Sequence, residues 1–100
     1  MPSFSTEVPH TLGKEAAVEK LKDFLVKVKE DFKDQVSEME GEWNDNVLTF
    51  SLTSYGFKID GTLTAEEDSA KIAGSLPFAA AMFRGKIESS MAKELTKVLN

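Results

Sequence analysis

Apolar and polar residues follow two different rhythms along this chain, and the changes of rhythm predict its elements. Phe4, Thr6 and Val8 alternate with Ser3, Ser5 and Glu7, the period of two expected of a strand with one covered face. Pro9 lacks a backbone donor and ends that strand. Further on, Ala17, Leu21, Phe24, Leu25, Val28 and Phe32 recur at three- and four-residue steps, which predicts a core-facing helix of about twenty residues, roughly 30 Å long. Thr11 is the expected N-cap of that helix.

After Gln35 the period returns to two. Met39, Gly41 and Trp43 fall on one side of a second strand and Glu38, Glu40 and Glu42 on the other. Asn44-Asp45-Asn46 suits a tight hairpin turn. Leu48, Phe50 and Leu52 then alternate with Thr49, Ser51 and Thr53, and Ser54-Tyr55-Gly56 supplies the next reversal. Phe57, Ile59, Gly61 and Leu63 form the apolar side of a fourth strand. A solvated turn, Glu66-Glu67-Asp68-Ser69, leads into a fifth, with Ala70, Ile72, Gly74 and Leu76 on its apolar side. Pro77 suits the first turn of a closing helix whose stripe is Phe83, Ile87, Met91, Leu95 and Val98. Lys93 and Lys97 near its end complement the helix dipole.

The predicted order is therefore βαββββα. It is an α+β fold with a five-stranded antiparallel sheet, and residues 1–100 make a single domain. Each strand has one apolar face, so both amphipathic helices are expected on the same side of the sheet. Glu38, Glu40, Glu42 and Asp60 are expected on the wet side.

Composition narrows the classes further. With 41% hydrophobic and 29% charged residues the chain is an ordinary globular sequence. It has no cysteine, which removes disulfides, thiolate metal sites and thiol nucleophiles. A net charge of −5 argues against a nucleic-acid partner. The lysines of the first helix are interleaved with Glu19, Asp23, Glu30 and Asp31 and read as a mixed, solvated face. The opening MPSFSTEVPH has no basic stretch followed by an apolar run, so no secretory leader is expected. The longest apolar stretch, Leu76 to Phe83, is far short of the ~18 to 20 residues a membrane-crossing helix needs. A cytoplasmic protein is the expectation.

Candidate chemistry is sparse. His10 is the single histidine, so a multi-histidine metal centre is excluded. Between Pro9 and Thr11 it reads as a junction residue bonded to backbone. Glu38, Glu40 and Glu42 would stand about 6.5 to 7 Å apart on one strand face, and Glu66, Glu67 and Asp68 are consecutive in a turn. Both sets read as solvated carboxylates, and neither matches a calcium loop. No nucleophile elbow and no phosphate-cradling glycine cluster is present, so neither an enzyme, a metal nor a cofactor is expected. The run Leu76-Pro77-Phe78-Ala79-Ala80-Ala81-Met82-Phe83 is apolar nearly all round. Phe83 belongs to the core stripe. Phe78, Met82 and Trp43 either finish the core or form an apolar ligand rim, an oligomer contact or a hydrophobic-surface contact.

Taken in order, His10-Thr11-Leu12-Gly13 before Glu15-Ala16-Ala17, then Trp43, Asp60-Gly61-Thr62-Leu63, Leu76-Pro77-Phe78 and Ile87-Glu88 resemble the polyhydroxyalkanoic acid system proteins of bacteria. The resemblance spans almost the whole chain. It implies a small cytoplasmic, non-enzymatic accessory of polyhydroxyalkanoate storage granules, and it brings no catalytic residues. The partner it implies is a hydrophobic granule surface or a granule protein. The element order also resembles a shortened helix-grip domain, in which the first strand pairs beside the last and a small apolar, fatty-acyl-like ligand can lie under the long C-terminal helix. Lacking the extra strands of longer helix-grip domains, this chain is expected to have little room for a sizeable ligand. Exposed strand edges and the apolar start of the second helix leave a homodimer open.

Overall fold

The computed structural model describes residues 3–31, 33, 34, 36–54 and 56–100. Phe32, expected on the core side of the first helix, and Gln35 and Tyr55, expected near reversals, lie outside the described residues. The elements are β1 (Ser3–Pro9), α1 (Lys14–Asp31), β2 (Val36–Asn44), β3 (Val47–Ser54), β4 (Phe57–Ala65), β5 (Ser69–Ser75), a 3-10 helix (Phe78–Phe83) and α2 (Arg84–Leu99). All five strands form one antiparallel sheet in the order β1-β5-β4-β3-β2. The first strand returns to pair with the last, as expected.

Alternation sorts the two faces. Phe4, Val8, Leu48, Phe50, Ile59, Leu63, Ala70 and Ile72 are buried with Ala17 and Leu21 of α1 and Leu95 and Leu99 of α2. Both helices therefore cover one face, while Glu38, Glu40, Glu42 and Asp60 are exposed on the other.

The register aligns Phe4, Gly74, Gly61, Phe50 and Gly41 into one row across all five strands. Three of the five have no side chain, and the chain needs this. A Cβ on Gly74 would stand 2.1 Å from the Asp60 carbonyl oxygen, and one on Gly61 would stand 2.5 Å from that of Ala73. Glycine inside a strand permits such close backbone approach, and neighbouring aromatic rings cover the bare backbone. Here the rings are those of Phe4 and Phe50.

Local chemistry fixes the connections. Asp45 adopts φ 58° in the β2–β3 turn, a left-handed conformation that aspartate tolerates. Asn46 then holds the end of β4: its Nδ2 donates to the Ala65 carbonyl at 2.7 Å, and the Ala65 N–H donates to the Asn46 carbonyl at 2.9 Å. His10 is 4% exposed. Its Nδ1 accepts the Leu12 N–H at 3.1 Å, so Nδ1 is bare, and the proton on Nε2 is donated to the Ser69 carbonyl at 3.2 Å. Its own N–H donates to the Asp68 carbonyl at 2.9 Å. The ring thus ties the β1–α1 connection to the β4–β5 turn, and both nitrogens are engaged.

Helix α2 is fastened to the outer edge of β1. The Ser5 N–H, on the edge that does not face β5, donates to Glu88 Oε2 at 2.7 Å. Asn100 Nδ2 donates to the Pro9 carbonyl at 3.4 Å. Pro9 shares the strand parity of Ser5, so its missing donor removes no bond to β5.

Three expectations need correction. First, Thr11 does not cap α1, which begins at Lys14. Gly13, at φ 85°, precedes the helix, and its carbonyl accepts the Ala17 N–H at 3.1 Å. Second, strict alternation in β2 is broken by a bulge between Val36 and Glu38. The extra residue returns Val36 to the side of Met39, away from Glu38. Third, Pro77 does not open an α-helix. Its carbonyl accepts the Ala80 N–H at 3.0 Å, and a 3-10 helix runs to Phe83 before α2 begins. Threefold turns put Ala80 and Phe83 on one row and leave Phe78 and Met82 off it. Phe83, at the end of that row, is 50% exposed rather than part of a closed core stripe.

Candidate functional site

Both helices dock at one end and lift at the other. In α1 the early residues Ala17 and Leu21 are buried, whereas Phe24, Leu25 and Val28, on the same stripe, are only partly covered. In α2 the order is reversed: Leu95 and Leu99 are buried, while Ile87 and Met91 are partly covered. The lifted halves are not packed down on the sheet, and the space beneath them is a cleft.

That cleft has a volume of about 730 Å³, within the roughly 300 to 1,000 Å³ typical of small-ligand sites. Its floor is Val36 and Met39 of β2, Leu48, Phe50 and Leu52 of β3, Phe57, Ile59 and Leu63 of β4, and Ile72 of β5. Phe24, Leu25 and Val28 line one side and Ile87, Met91 and Leu95 the other. The 3-10 row supplies Ala80 and Phe83. Among the described residues, the polar side chains in the lining are those of Ser54, Lys86, Ser90 and Glu94. The Val36 contribution depends on the β2 bulge, since without it this side chain would lie with the glutamates on the wet face.

This arrangement can hold an apolar molecule; it is not laid out for acid-base chemistry. Lys86 and Glu94, the two charged lining residues, are eight positions apart on α2, about 12 Å at 1.5 Å per residue. Glu94 Oε1 lies 3.8 Å from Lys97 Nζ. Among the described residues no group of histidine and carboxylate side chains could hold a metal ion. A smaller hollow of about 460 Å³ lies between the helices and is lined by Lys20, Asp23, Lys27, Asp31, Glu94 and Lys97. Its signs are mixed.

Sequence reasoning singled out Trp43, Phe78 and Met82, and none of them lines the cleft. Trp43 lies on the covered face of edge strand β2, packed against the core with Lys22 Nζ 5.8 Å from its ring centroid. With Lys22 itself exposed, such a cation over a partly buried indole contributes on the order of 0.5 to 1 kcal/mol. Phe78 and Met82 stand 83% and 82% exposed outside it. Phe24, Leu25, Val28, Ile87 and Met91 do line it, and the sequence marked them only as helix stripes. No local signal separates a stripe that packs down from one that spans a gap.

The fold and the cleft define a class: a small α+β domain in which two helices cover one face of a five-stranded antiparallel sheet and enclose apolar space. Solved structures share that fold. The crystal structure of DynU16, from the dynemicin biosynthetic locus, superposes with a TM-score of 0.70 at 13% identity over 99% of this chain. This chain spans 47% of DynU16. TTHA0849 from Thermus thermophilus superposes with a TM-score of 0.58 at 15% identity, over 98% of this chain and 92% of that one. No curated protein matches in sequence. The chain belongs to the family described as "Putative polyhydroxyalkanoic acid system protein", which it matches over residues 5–99. The resemblance carried by His10-Thr11-Leu12-Gly13 through Ile87-Glu88 is thereby established, and its residues have structural meaning here. His10 ties two connections, Gly61 lies in the glycine row, Ile87 lines the cleft and Glu88 fastens α2.

Proposed function

We propose that this protein is a non-enzymatic, cytoplasmic binding accessory of bacterial polyhydroxyalkanoate metabolism that holds an acyl chain in the cleft, in the manner of a helix-grip carrier. The observation that carries this reading is the 730 Å³ apolar space beneath the lifted halves of α1 and α2. Burying an acyl chain there would cover Phe24, Val28, Ile87 and Met91 along with the ligand. Membership of the polyhydroxyalkanoic acid system supports an acyl ligand, since the polymer and its precursors are acyl compounds. A thermal-shift panel of acyl compounds tests the reading. A ligand at 100 times its Kd adds about 2.7 kcal/mol, which for a domain of this size raises Tm by roughly 10 °C or more. An unchanged Tm across the panel would reject it.

A second reading places the protein against a hydrophobic granule surface or a granule protein through Phe78 and Met82. Its support is their exposure, 83% and 82%, within the one 3-10 helix. Exposed apolar residues in a cluster favour such contacts. Wild-type protein would co-sediment with polymer granules and the Phe78→Asp, Met82→Lys double variant would not. Equal sedimentation of the two removes this surface from consideration.

A further inference from the structure

We propose that the ligand of the cleft is an anionic amphiphile, an acyl carboxylate of about twelve carbons, whose head group is held at the rim by Lys86 and Ser90 of α2. This rests on the acyl-binding reading and adds the polarity and length of the ligand to it. Apart from Ser54 at the end of β3, the described floor of the cleft and its α1 side are apolar. Its polar lining on α2 is a single stripe, Lys86, Ser90 and Glu94, at four-residue steps, so these residues share one helix face. Ile87, Met91 and Leu95 lie one position further on at the same steps and carry the apolar lining. An amphiphile lying along α2 therefore meets an apolar track beside a polar one.

The sign of the head group follows from the charges at the stripe. Among the described residues Lys86 is the one cation in the cleft lining, and it makes no ion pair there. Glu94, at the far end, is already paired with Lys97, and Glu88 is turned to the Ser5 N–H. Arg84 adds a second cation in the first turn of α2. The whole chain carries −5, which repels anions in general, so any preference for a carboxylate must come from this local cation. The length follows from the helix. From Lys86 to Leu95 is nine residues, about 14 Å at 1.5 Å per residue. An extended chain advances about 1.2 Å per bond, since the three backbone bonds of a residue span roughly 3.3 to 3.6 Å. About twelve carbons fit that track.

Calorimetric titration with dodecanoate and with dodecanol, on the full chain and three variants, tests this. Lys86→Gln should weaken dodecanoate about three- to fivefold, the range of a solvent-exposed ion pair. Lys86→Glu should weaken it about tenfold or more. Dodecanol should bind all forms alike, and Lys93→Gln, a change on the same helix outside the lining, should leave dodecanoate unchanged. Equal response of dodecanoate to Lys86→Gln and Lys93→Gln, or equal loss of dodecanol in Lys86→Glu, overturns the head-group assignment while leaving the acyl-binding reading intact. Failure of both compounds to bind the wild-type chain overturns the reading itself.

Discussion

Gly74→Ala should damage this fold far more than Gly41→Ala, although both glycines lie in the same cross-sheet row. At Gly74 an added Cβ would meet the Asp60 carbonyl oxygen at 2.1 Å, Gly61 Cα at 2.8 Å and Phe4 Cε1 at 2.9 Å. Ordinary contact is about 3.5 to 4.0 Å, so the β4 backbone would have to retreat by more than an ångström. Two of the three atoms belong to backbone held by ladders on both sides, and they cannot rotate away. Overpacking that forces backbone shifts costs typically about 1 to 3 kcal/mol and occasionally more, and this site belongs at or beyond the upper end. At about 4 to 8 °C per kcal/mol for a domain of this size, a 3 kcal/mol loss lowers Tm by roughly 12 °C or more. At Gly41 the close atom is Leu48 Cδ1 at 2.9 Å, the end of a side chain that can turn. Losing a glycine from the unfolded chain favours folding by about 0.4 to 1 kcal/mol, so the net change there should stay within about 1 kcal/mol. Urea denaturation with a common m-value measures both changes. A Gly74→Ala protein within 1 kcal/mol of wild type, or a Gly41→Ala protein equally weakened, would show that the row does not set the spacing of β4 and β5.

Saturated carboxylates of increasing length should bind about fourfold more tightly per added methylene, from roughly 0.8 kcal/mol each, until about twelve carbons fill the track; calorimetry showing an unbroken rise well beyond that length contradicts a cleft of this size. Replacing His10 by Ala strands the Leu12 N–H and the Ser69 carbonyl and should cost about 1 to 3 kcal/mol. Nitrogen NMR of the wild-type ring should show the Nε2–H tautomer, and an Nδ1–H signal would contradict the assigned bonds. Glu88→Ala should leave the Ser5 amide open to water, speeding its hydrogen exchange and lowering stability by about 0.5 to 1.5 kcal/mol; an unchanged exchange rate would mean the carboxylate does not cover that edge. Leu95→Ala, at a residue 3% exposed where α2 docks, should cost about 2 to 4 kcal/mol by chemical denaturation, and a loss under 1 kcal/mol would mean that this end is not packed down.

The alternation of Phe4 with Ser5, Leu48 with Thr49 and Ile59 with Asp60 determined the strands and their covered face, because side chains on an extended backbone must point to opposite sides. The three- and four-residue steps in α1 and α2 determined which side of each helix faces inward, for the same local reason. The carriers of the family resemblance were legible as residues too, yet the tasks of His10 and Glu88 were not, since their partners Ser69 and Ser5 lie 59 and 83 positions away. The 3-10 turn was also beyond local reading. Pro77 and the alanines permit an α-helix, and nothing in their local pattern marks the tighter winding in which Ala80 is buried. Above all, periodicity tells which face a helix turns to the sheet and nothing of how far it stands from it. That distance is decided by where distant elements touch: Ala17, Leu21, Leu95 and Leu99 pack one end shut, and Phe24, Val28, Ile87 and Met91 are held off the sheet at the other. The chain alone determined the layers, and only their tertiary packing decided that a cleft lies between them.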